Sequence, residues 1–254
     1  MKSWPYPLWI AHRGAGRLAP ENTLPAFDTG LAHGFRMFEC DVKLSSDGVA
    51  FLLHDDTLDR TTSGRGPAGA LDWAALSALD AGAWHSPAFA GTGLPTLSAL
   101  ARWCIANDAL VNLEIKPCPG TAAATGEAVA REARALWADA EVPPLLTSFD
   151  AEALEAARTA APGLPRGLLL EALAPGWLHA ARDLGCVAVV AHHPLWTPAM
   201  AADVHAAGLR CLAYTVNDAA EAARLLEMRL DGLITDRVDL FDTDWVQRRA
   251  APAE

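Results

Sequence analysis

Short apolar runs that alternate with Ala-rich stretches are the feature that most limits the folds open to this 254-residue chain. Parallel strands need a long crossover connection, so this alternation indicates parallel strands wrapped by helices. The predicted strands are residues 8–12, 37–43, 49–54, 110–115, 145–148, 167–170, 187–191, 211–215 and 232–235. The predicted helices are residues 24–33, 97–107, 125–138, 151–160, 177–184, 199–206 and 219–227.

The chain length and the number of strands favour a (β/α)8 TIM barrel. Only five residues separate the runs at 37–43 and 49–54, which is too few for a crossover. These two runs are therefore predicted to form an antiparallel hairpin that turns at Asp47-Gly48, and eight parallel strands remain. A doubly wound open sheet is the alternative, but neither a Walker A pattern nor a GxGxxG motif opens a helix here.

Residues 57–95 interrupt the alternation, because they are rich in Gly, Thr, Pro and Trp and contain only one predicted helix, at 73–79. A long irregular insertion of this kind is usually a lid or a small subdomain. We therefore expect a single domain over residues 1–254 with an insertion at about 55–95. The last residues, 248–254, are predicted to be frayed.

The charge and the cysteine content disfavour several classes of partner and of metal site. The chain carries 31 acidic against 20 basic residues, a formal charge of −11, which argues against binding to nucleic acid or to a membrane surface. A small anionic substrate stays compatible, since one site can be locally positive. Five scattered cysteines without a CxxC pair indicate neither a disulfide framework nor a thiolate zinc site. Because no signal sequence or membrane span is predicted either, we expect a cytoplasmic protein, either a monomer or a homodimer.

The predicted hairpin carries polar residues on one of its faces. Glu39 and Asp41 alternate with apolar residues and therefore share a face. A two-residue turn places His54 opposite Asp41, and a four-residue loop places it opposite Glu39, so both registers put His54 beside a carboxylate. Two carboxylates suit a hard divalent cation, and a histidine suits proton transfer. The alternative is a solvated face with an ordinary salt bridge.

Two further strand ends carry polar groups. His12 and Arg13 follow the first strand, where a barrel would place them at its mouth. Asn112, Glu114 and Lys116 alternate with apolar residues and are predicted to point in one direction. A surface pair in a turn and a structural ion pair are the respective alternatives.

These strand ends together predict one site. Three carboxylates, Glu39, Asp41 and Glu114, are typical of a Mg²⁺ or Ca²⁺ site rather than a zinc site. A cation beside Arg13 and Lys116 would neutralise a phosphate ester and stabilise its more negative transition state.

The sequence resembles the glycerophosphodiester phosphodiesterase family in a set of motifs that follow the family's order from residue 8 to about 240. These motifs are His12-Arg13-Gly14, Pro20-Glu21-Asn22-Thr23, Glu39-Cys40-Asp41-Val42, Asp47-Gly48, His54-Asp55, Thr57-Leu58-Asp59-Arg60-Thr61-Thr62, Pro95-Thr96-Leu97, Leu113-Glu114-Ile115-Lys116, Ser148-Phe149, Thr215-Val216-Asn217 and Asp231-Gly232-Leu233-Ile234-Thr235-Asp236.

The resemblance implies a (β/α)8 barrel with a small inserted subdomain and a divalent cation, usually Mg²⁺ or Ca²⁺, with Mn²⁺ as a further candidate. It also implies roles for matched positions. These are metal binding for Glu39, Asp41 and Glu114, acid/base catalysis for His12 and His54, and substrate binding for Arg13, Lys116, Tyr214 and Asn217. Two positions depart from the family pattern, since Tyr214 stands where many members have Trp, and Arg237-Val238 follows Asp236 where a Pro is common.

The activity implied by the resemblance is hydrolysis of glycerophosphodiesters to sn-glycerol 3-phosphate and an alcohol such as choline or ethanolamine. In the mechanism implied, the glycerol hydroxyl next to the phosphate attacks phosphorus, one histidine acts as base and the other as acid, and a cyclic phosphate forms. A lysophospholipase D-like activity on lysophospholipids is the alternative. A catalytically silent binding barrel is disfavoured, because all five of the matched carboxylates and histidines are present.

Overall fold

Eight parallel strands close into a barrel in the computed structural model, which describes residues 4–241 and Trp245. The strands are β1 Trp9–Ala11, β2 Met37–Leu44, β3 Ala50–Leu52, β4 Leu110–Ile115, β5 Leu145–Ser148, β6 Arg166–Leu170, β7 Ala188–His192, β8 Arg210–Tyr214 and β9 Gly232–Thr235. Around the barrel the order is β1, β9, β8, β7, β6, β5, β4 and β2, and a pair between Ala11 and Phe38 joins β2 back to β1. The predicted (β/α)8 barrel is confirmed.

Helices follow the barrel strands and cover their outer surface. In chain order the helices are α1 Leu24–Ala32, α2 Trp73–Leu76, α3 Leu97–Ala106, α4 Ala122–Leu136, α5 Ala151–Ala160, α6 Trp177–Asp183, α7 Pro198–Ala206 and α8 Ala219–Glu227. Helix α2 lies in the segment between β3 and α3 and packs in a separate cluster instead of on the barrel strands. Asp150 and Asp218 cap α5 and α8 by accepting hydrogen bonds from two backbone N–H groups each. None of the helices described in residues 4–241 has the length and apolar character that a bilayer crossing requires.

The β2–β3 hairpin forms, but its register differs from both predicted registers. Lys43 pairs with Phe51 and Leu44 with Ala50, and the amide of Ser45 donates to the Val49 carbonyl at 3.0 Å. The turn therefore contains three residues, 46–48, where two or four were expected. This shift would place His54 on the apolar face, but β3 ends at Leu52, and the chain then turns back toward the carboxylates.

Two layers of side chains make up the barrel core. Alternate residues of each strand point inward or outward, so Ile10 lies inside the barrel while its neighbours Trp9 and Ala11 pack against the helices. The interior layer, with Met37 and Leu212 among its members, fills the end of the barrel where the strands begin. The opposite end is left for polar side chains.

The segment between β3 and α3 forms an extra layer on one side of the barrel mouth. Phe51, Leu58 and Leu76 pack in a small cluster of their own, and the Leu52 amide donates to the Pro95 carbonyl at 3.0 Å. Its helix α2 is shorter than the predicted 73–79. That residues 1–254 form one domain with residues 55–95 as its insertion stays a prediction, and the predicted frayed tail, residues 248–254, lies outside the described residues.

Helices α4 and α5 approach closely at Gly126, where a Cβ atom would lie 2.1 Å from the Ala153 carbonyl oxygen. We expect Gly126→Ala to lower the free energy of unfolding by about 1–3 kcal/mol, because the helices would have to move apart. Gly163→Ala is the matched control, since no atom lies within 4 Å of its added Cβ. Denaturant unfolding measures both, and a Gly126→Ala variant as stable as the parent would contradict the packing.

Candidate active site

A cavity of about 420 Å³ opens at the carboxyl ends of the barrel strands. Parallel strands all end at the same rim, so side chains that are distant in sequence meet there. The charged and polar residues that line it include His12, Arg13, Glu39, His54, Asn112, Glu114, Lys116 and Glu171. Phe149 and Tyr214 are its aromatic residues.

Three carboxylates lie together at the base of this cavity. Asp41 on β2 is in register with Glu114 on β4, and Glu39 precedes Asp41 by one pleat. One ligand atom from each residue lies within 4.8 Å of the others. The residues are 3%, 1% and 9% exposed respectively, so the cluster is almost fully withdrawn from water. The predicted carboxylate set is therefore brought together by the fold.

The three carboxyl groups respond differently to this crowding. Burial raises the pKa of Glu39, and the charges of Asp41 and Glu114 raise it further. Burial, with Asp41 beside it, also raises the pKa of Glu114 to about 7. Burial alone would raise the pKa of Asp41 as well, but the nearby positive groups, Arg13 above all, outweigh it and hold that pKa well below its usual range.

Arg13 and Lys116 flank the carboxylates. Arg13 Nε lies 3.4 Å from an Asp41 oxygen, and Lys116 Nζ lies 2.9 Å from Glu114 and 3.5 Å from Asp41. Arg13 has a φ of +52°, a left-handed conformation uncommon for residues other than glycine, and its backbone amide donates to Glu39 at 3.1 Å. The turn after β1 is thus tied directly to the cluster.

Both predicted histidines are held through Nδ1 by an aspartate. His12 Nδ1 lies 2.6 Å from Asp236, and His54 Nδ1 lies 2.8 Å from Asp55. An imidazole that donates from Nδ1 keeps Nε2 free for proton exchange. Both histidines line the cavity, so their Nε2 atoms are the ring nitrogens available there. His12 Nε2 lies 3.8 Å from Glu39. Burial lowers the pKa of His54. The negative charge of Asp41 opposes this shift, whereas the positive charges of Arg13 and Lys116 lower the pKa further.

An arginine of the segment after β3 connects two of these groups. Arg60 donates to both oxygens of Asp55 at 2.7 and 2.8 Å and to both oxygens of Glu21 at 2.7 and 2.8 Å. Glu21 in turn accepts from Arg13 at 2.7 Å. Through this chain of ion pairs the orientation of His54 and that of Arg13 depend on the same guanidinium group.

Of the remaining predicted substrate residues, one lines the cavity and one does not. Tyr214 forms part of the wall, with its hydroxyl donating to the Leu170 carbonyl at 3.0 Å. Asn217 lies behind His12, where its amide donates to Asp236 at 2.7 Å and its carbonyl accepts from the Asp236 amide at 2.8 Å. Its contacts fit a residue that orients the His12–Asp236 pair.

Sequence reasoning did not assign several residues of the site. Asp236, Asp55, Arg60 and Glu21 orient the groups named above, and Asn22 donates to Asp41 at 2.8 Å. All five belong to the motifs that the sequence shares with the family, and this membership is the signal that could have marked them as site residues. The roles of Asp236, Glu21 and Asn22 could not be assigned, because each depends on a partner in another segment of the chain. Asp55 is adjacent to His54 in sequence, but its pairing with Arg60 depends on the fold of the segment after β3.

A second group of potential ligands, His205, Cys211 and Asp231, lies at the opposite end of the barrel. Its carboxylate already accepts from His205 Nε2 at 3.0 Å, from Arg210 at 2.9 Å and from the Cys211 amide at 2.9 Å. With a guanidinium on the same carboxylate, these contacts indicate a structural cluster.

Comparison with known proteins gives a consistent result. Residues 12–240 match the model of the glycerophosphoryl diester phosphodiesterase family. A glycerophosphodiester phosphodiesterase of Caldanaerobacter subterraneus is 31% identical over 90% of this chain and 93% of that protein. A phosphodiesterase of Oleispira antarctica, solved with the product sn-glycerol 3-phosphate, is 33% identical with a TM-score of 0.84, covering 91% of this chain and 93% of that one. A glycerophosphodiester phosphodiesterase of Agrobacterium tumefaciens is 30% identical with a TM-score of 0.79, covering 93% and 99%.

The raised pKa of Glu114 leads to a measurable proton linkage. In metal-free protein we expect the Glu114 carboxyl to titrate near pH 7. Folding favours the protonated form of Glu114 and thereby contributes to the free energy of unfolding. This contribution is fully present below the pKa of an unfolded glutamate, about 4.3, and is lost as the pH rises through 7. Titration of the side chain by ¹³C NMR measures the midpoint directly.

Asp41→Asn is the control for this titration, because removing that charge should move the Glu114 midpoint downward. A midpoint below pH 5 in the unsubstituted, metal-free protein would be incompatible with the crowded carboxylate cluster.

Proposed function

The chain belongs to the glycerophosphoryl diester phosphodiesterase family, and we therefore propose that it hydrolyses water-soluble glycerophosphodiesters to sn-glycerol 3-phosphate and an alcohol, using a divalent cation and two histidines. The observation that carries the proposal is the meeting of three buried carboxylates, two aspartate-held histidines and two cationic side chains at one cavity.

The donor set fits a hard divalent cation. Glu39, Asp41 and Glu114 offer only oxygen ligands, which suits Mg²⁺, Ca²⁺ or Mn²⁺ better than zinc. Burial raises the pKa values of Glu39 and Glu114, and the neighbouring negative charges raise them further. A bound cation would offset the repulsion among these charges. The Asn112 amide nitrogen, buried at the cavity wall without a hydrogen-bond partner among the described residues, is a spare donor for an oxygen of a ligand.

Substrate binding falls to the cationic side chains. We assign the phosphate to the space beside Arg13 and Lys116, because both side chains reach the cavity and Arg donates in a planar fork that matches phosphate oxygens. When bound, the cation would polarise the phosphoryl group and help to neutralise its transition-state charge. Fixed by their carboxylate partners, Arg13 and Lys116 need little reorganisation when this charge develops.

His12 and His54 would carry the protons. One of them accepts the proton of the glycerol hydroxyl as its oxygen attacks phosphorus, and the other donates a proton to the oxygen of the departing alcohol. The resulting cyclic phosphate is then opened by water with the two roles reversed. Because both Nδ1 atoms are occupied by aspartates, we assign the transferred protons to the Nε2 atoms. Asp55 and Asp236 would orient these rings and stabilise their protonated forms.

A lysophospholipase D-like activity is the second candidate. Several of the exposed large apolar side chains follow strands at the mouth, namely Leu18, Phe149 and Leu173, which are 39%, 43% and 45% exposed. Such a rim would suit an acyl chain. We rank it below the soluble substrates, because the formal charge of −11 disfavours an anionic lipid surface.

The remaining parts of the proposal concern the cellular location and the partners of the protein. All five cysteines are free thiols, four of them buried, which agrees with a reducing cytoplasm. We further propose that the protein has no nucleic-acid partner and no stable membrane association. The choice between monomer and homodimer stays open to measurement.

The first test of the mechanism removes one component at a time. Chelator-treated protein should release no glycerol 3-phosphate from glycerophosphocholine until Mg²⁺, Ca²⁺ or Mn²⁺ is restored. His12→Ala and His54→Ala should each lower kcat by about a hundredfold or more. His179→Ala, whose side chain is 79% exposed on α6, should leave kcat unchanged. Full activity of either test variant would remove that histidine from the mechanism.

A second test separates the two substrate classes. We expect kcat/KM to be higher for glycerophosphocholine than for lysophosphatidylcholine, and Leu173→Ser to leave the glycerophosphocholine value unchanged. Ile105→Ser, at an exposed position on α3, is the matched control. A preference for the lysophospholipid that Leu173→Ser abolishes and Ile105→Ser does not would establish the second candidate in place of the first.

A further inference from the structure

One half of the cavity wall has a chemistry that the hydrolysis itself does not use. Phe149 follows β5, Glu171 follows β6 and Tyr214 ends β8, and all three line the cavity. In the barrel order, β6 lies across from β1, which carries His12 and Arg13. The cavity therefore has an acidic side at Glu171 that faces the side of His12 and Arg13. Phe149 lies between these sides, since Lys116 Nζ is 5.9 Å from the centroid of its ring.

The two aromatic rings form a corner. Their centroids are 5.8 Å apart and their planes meet at 88°, so two ring surfaces bound the same space. The Tyr214 ring is fixed in place by the hydrogen bond from its hydroxyl to Leu170, and His192 lies against it at a centroid distance of 5.8 Å. A fixed aromatic corner binds an organic cation through the negative electrostatic potential of its ring faces.

Glu171 supplies a negative charge beside this corner. It is exposed at the cavity mouth, and the described residues contain no basic side chain in an ion pair with it, whereas the other carboxylates of the cavity are paired with arginine, lysine or histidine. Because no basic side chain among the described residues is paired with Glu171, its charge is available to a ligand that also contacts the two aromatic rings.

We propose that Phe149, Glu171 and Tyr214 form a subsite for a positively charged alcohol, and that the enzyme prefers zwitterionic glycerophosphodiesters, whose alcohol carries an ammonium or quaternary ammonium group. This inference rests on the proposed function, since it assigns the part of the substrate that leaves. The phosphate then binds beside Arg13 and Lys116, and the ammonium group binds beside Glu171 and the Tyr214 ring. Neutral and anionic alcohols lack the second interaction.

The test compares two substrates that differ in charge alone. Glycerophosphocholine and the glycerophosphate ester of 3,3-dimethylbutanol have nearly the same shape, but only the first carries a positive charge. We expect kcat/KM to be about tenfold higher for the choline ester, because its cation would contact both the aromatic rings and the neighbouring carboxylate. Glu171→Gln and Phe149→Leu should each bring this ratio close to one, and Glu152→Gln, which removes an exposed carboxylate on α5, should leave it unchanged.

Binding of choline to chelator-treated protein, followed by NMR titration, gives a readout without turnover. It should weaken about tenfold in Glu171→Gln and not in Glu152→Gln. Equal kcat/KM for the two esters, or a Glu171→Gln variant that loses activity on both to the same extent, would overturn the subsite, the latter because Glu171 would then bind the shared glycerol. Hydrolysis of neither ester would overturn the proposed function instead, and the choline titration would then decide the subsite separately.

Discussion

Three carboxylates held within 4.8 Å of one another, almost without exposure to water, are the constraint on which the rest of this site depends. Like charges in a buried site repel strongly, and each would be protonated or displaced without compensation. Arg13 and Lys116 supply part of the compensation directly, and Asn22 adds a hydrogen bond to Asp41. The remaining negative charge is what suits the cavity to a divalent cation.

The barrel tolerates this concentration of charge because the apolar core that stabilises the fold and the polar site occupy different parts of the molecule. Apolar side chains fill the interior where the strands begin, and the layer between strands and helices is apolar as well. The polar side chains of the candidate site lie at the rim at which the strands end. Glu39 and Asp41 can therefore sit on the same strand as Phe38 and Cys40, which face the helices, without weakening the core.

The orientation of the two histidines depends on residues of the segment after β3 in one case and of the loop after the last strand in the other. His54 is held by Asp55, whose carboxylate is fixed by Arg60 from the segment after β3. His12 is held by Asp236, which follows the last strand and is itself fixed by Asn217. The two imidazoles thus have similar partners at Nδ1 but different second neighbours, a guanidinium in one case and a neutral amide in the other. This difference gives the two rings unequal electrostatic surroundings.

The sequence by itself determined the barrel, the strands that carry the site and the carboxylates that meet there. Strand–helix alternation and the period of two along a strand are local properties, so they could be predicted from residues such as Glu39, Asp41 and Glu114. Only the tertiary structure decided the hairpin register, because a three-residue turn and an early end to β3 depend on packing against the following segment. It also decided that Asn217 lies behind His12, and that Phe149, Glu171 and Tyr214 share one wall, since each of these contacts joins residues from different strands and loops that no local pattern connects.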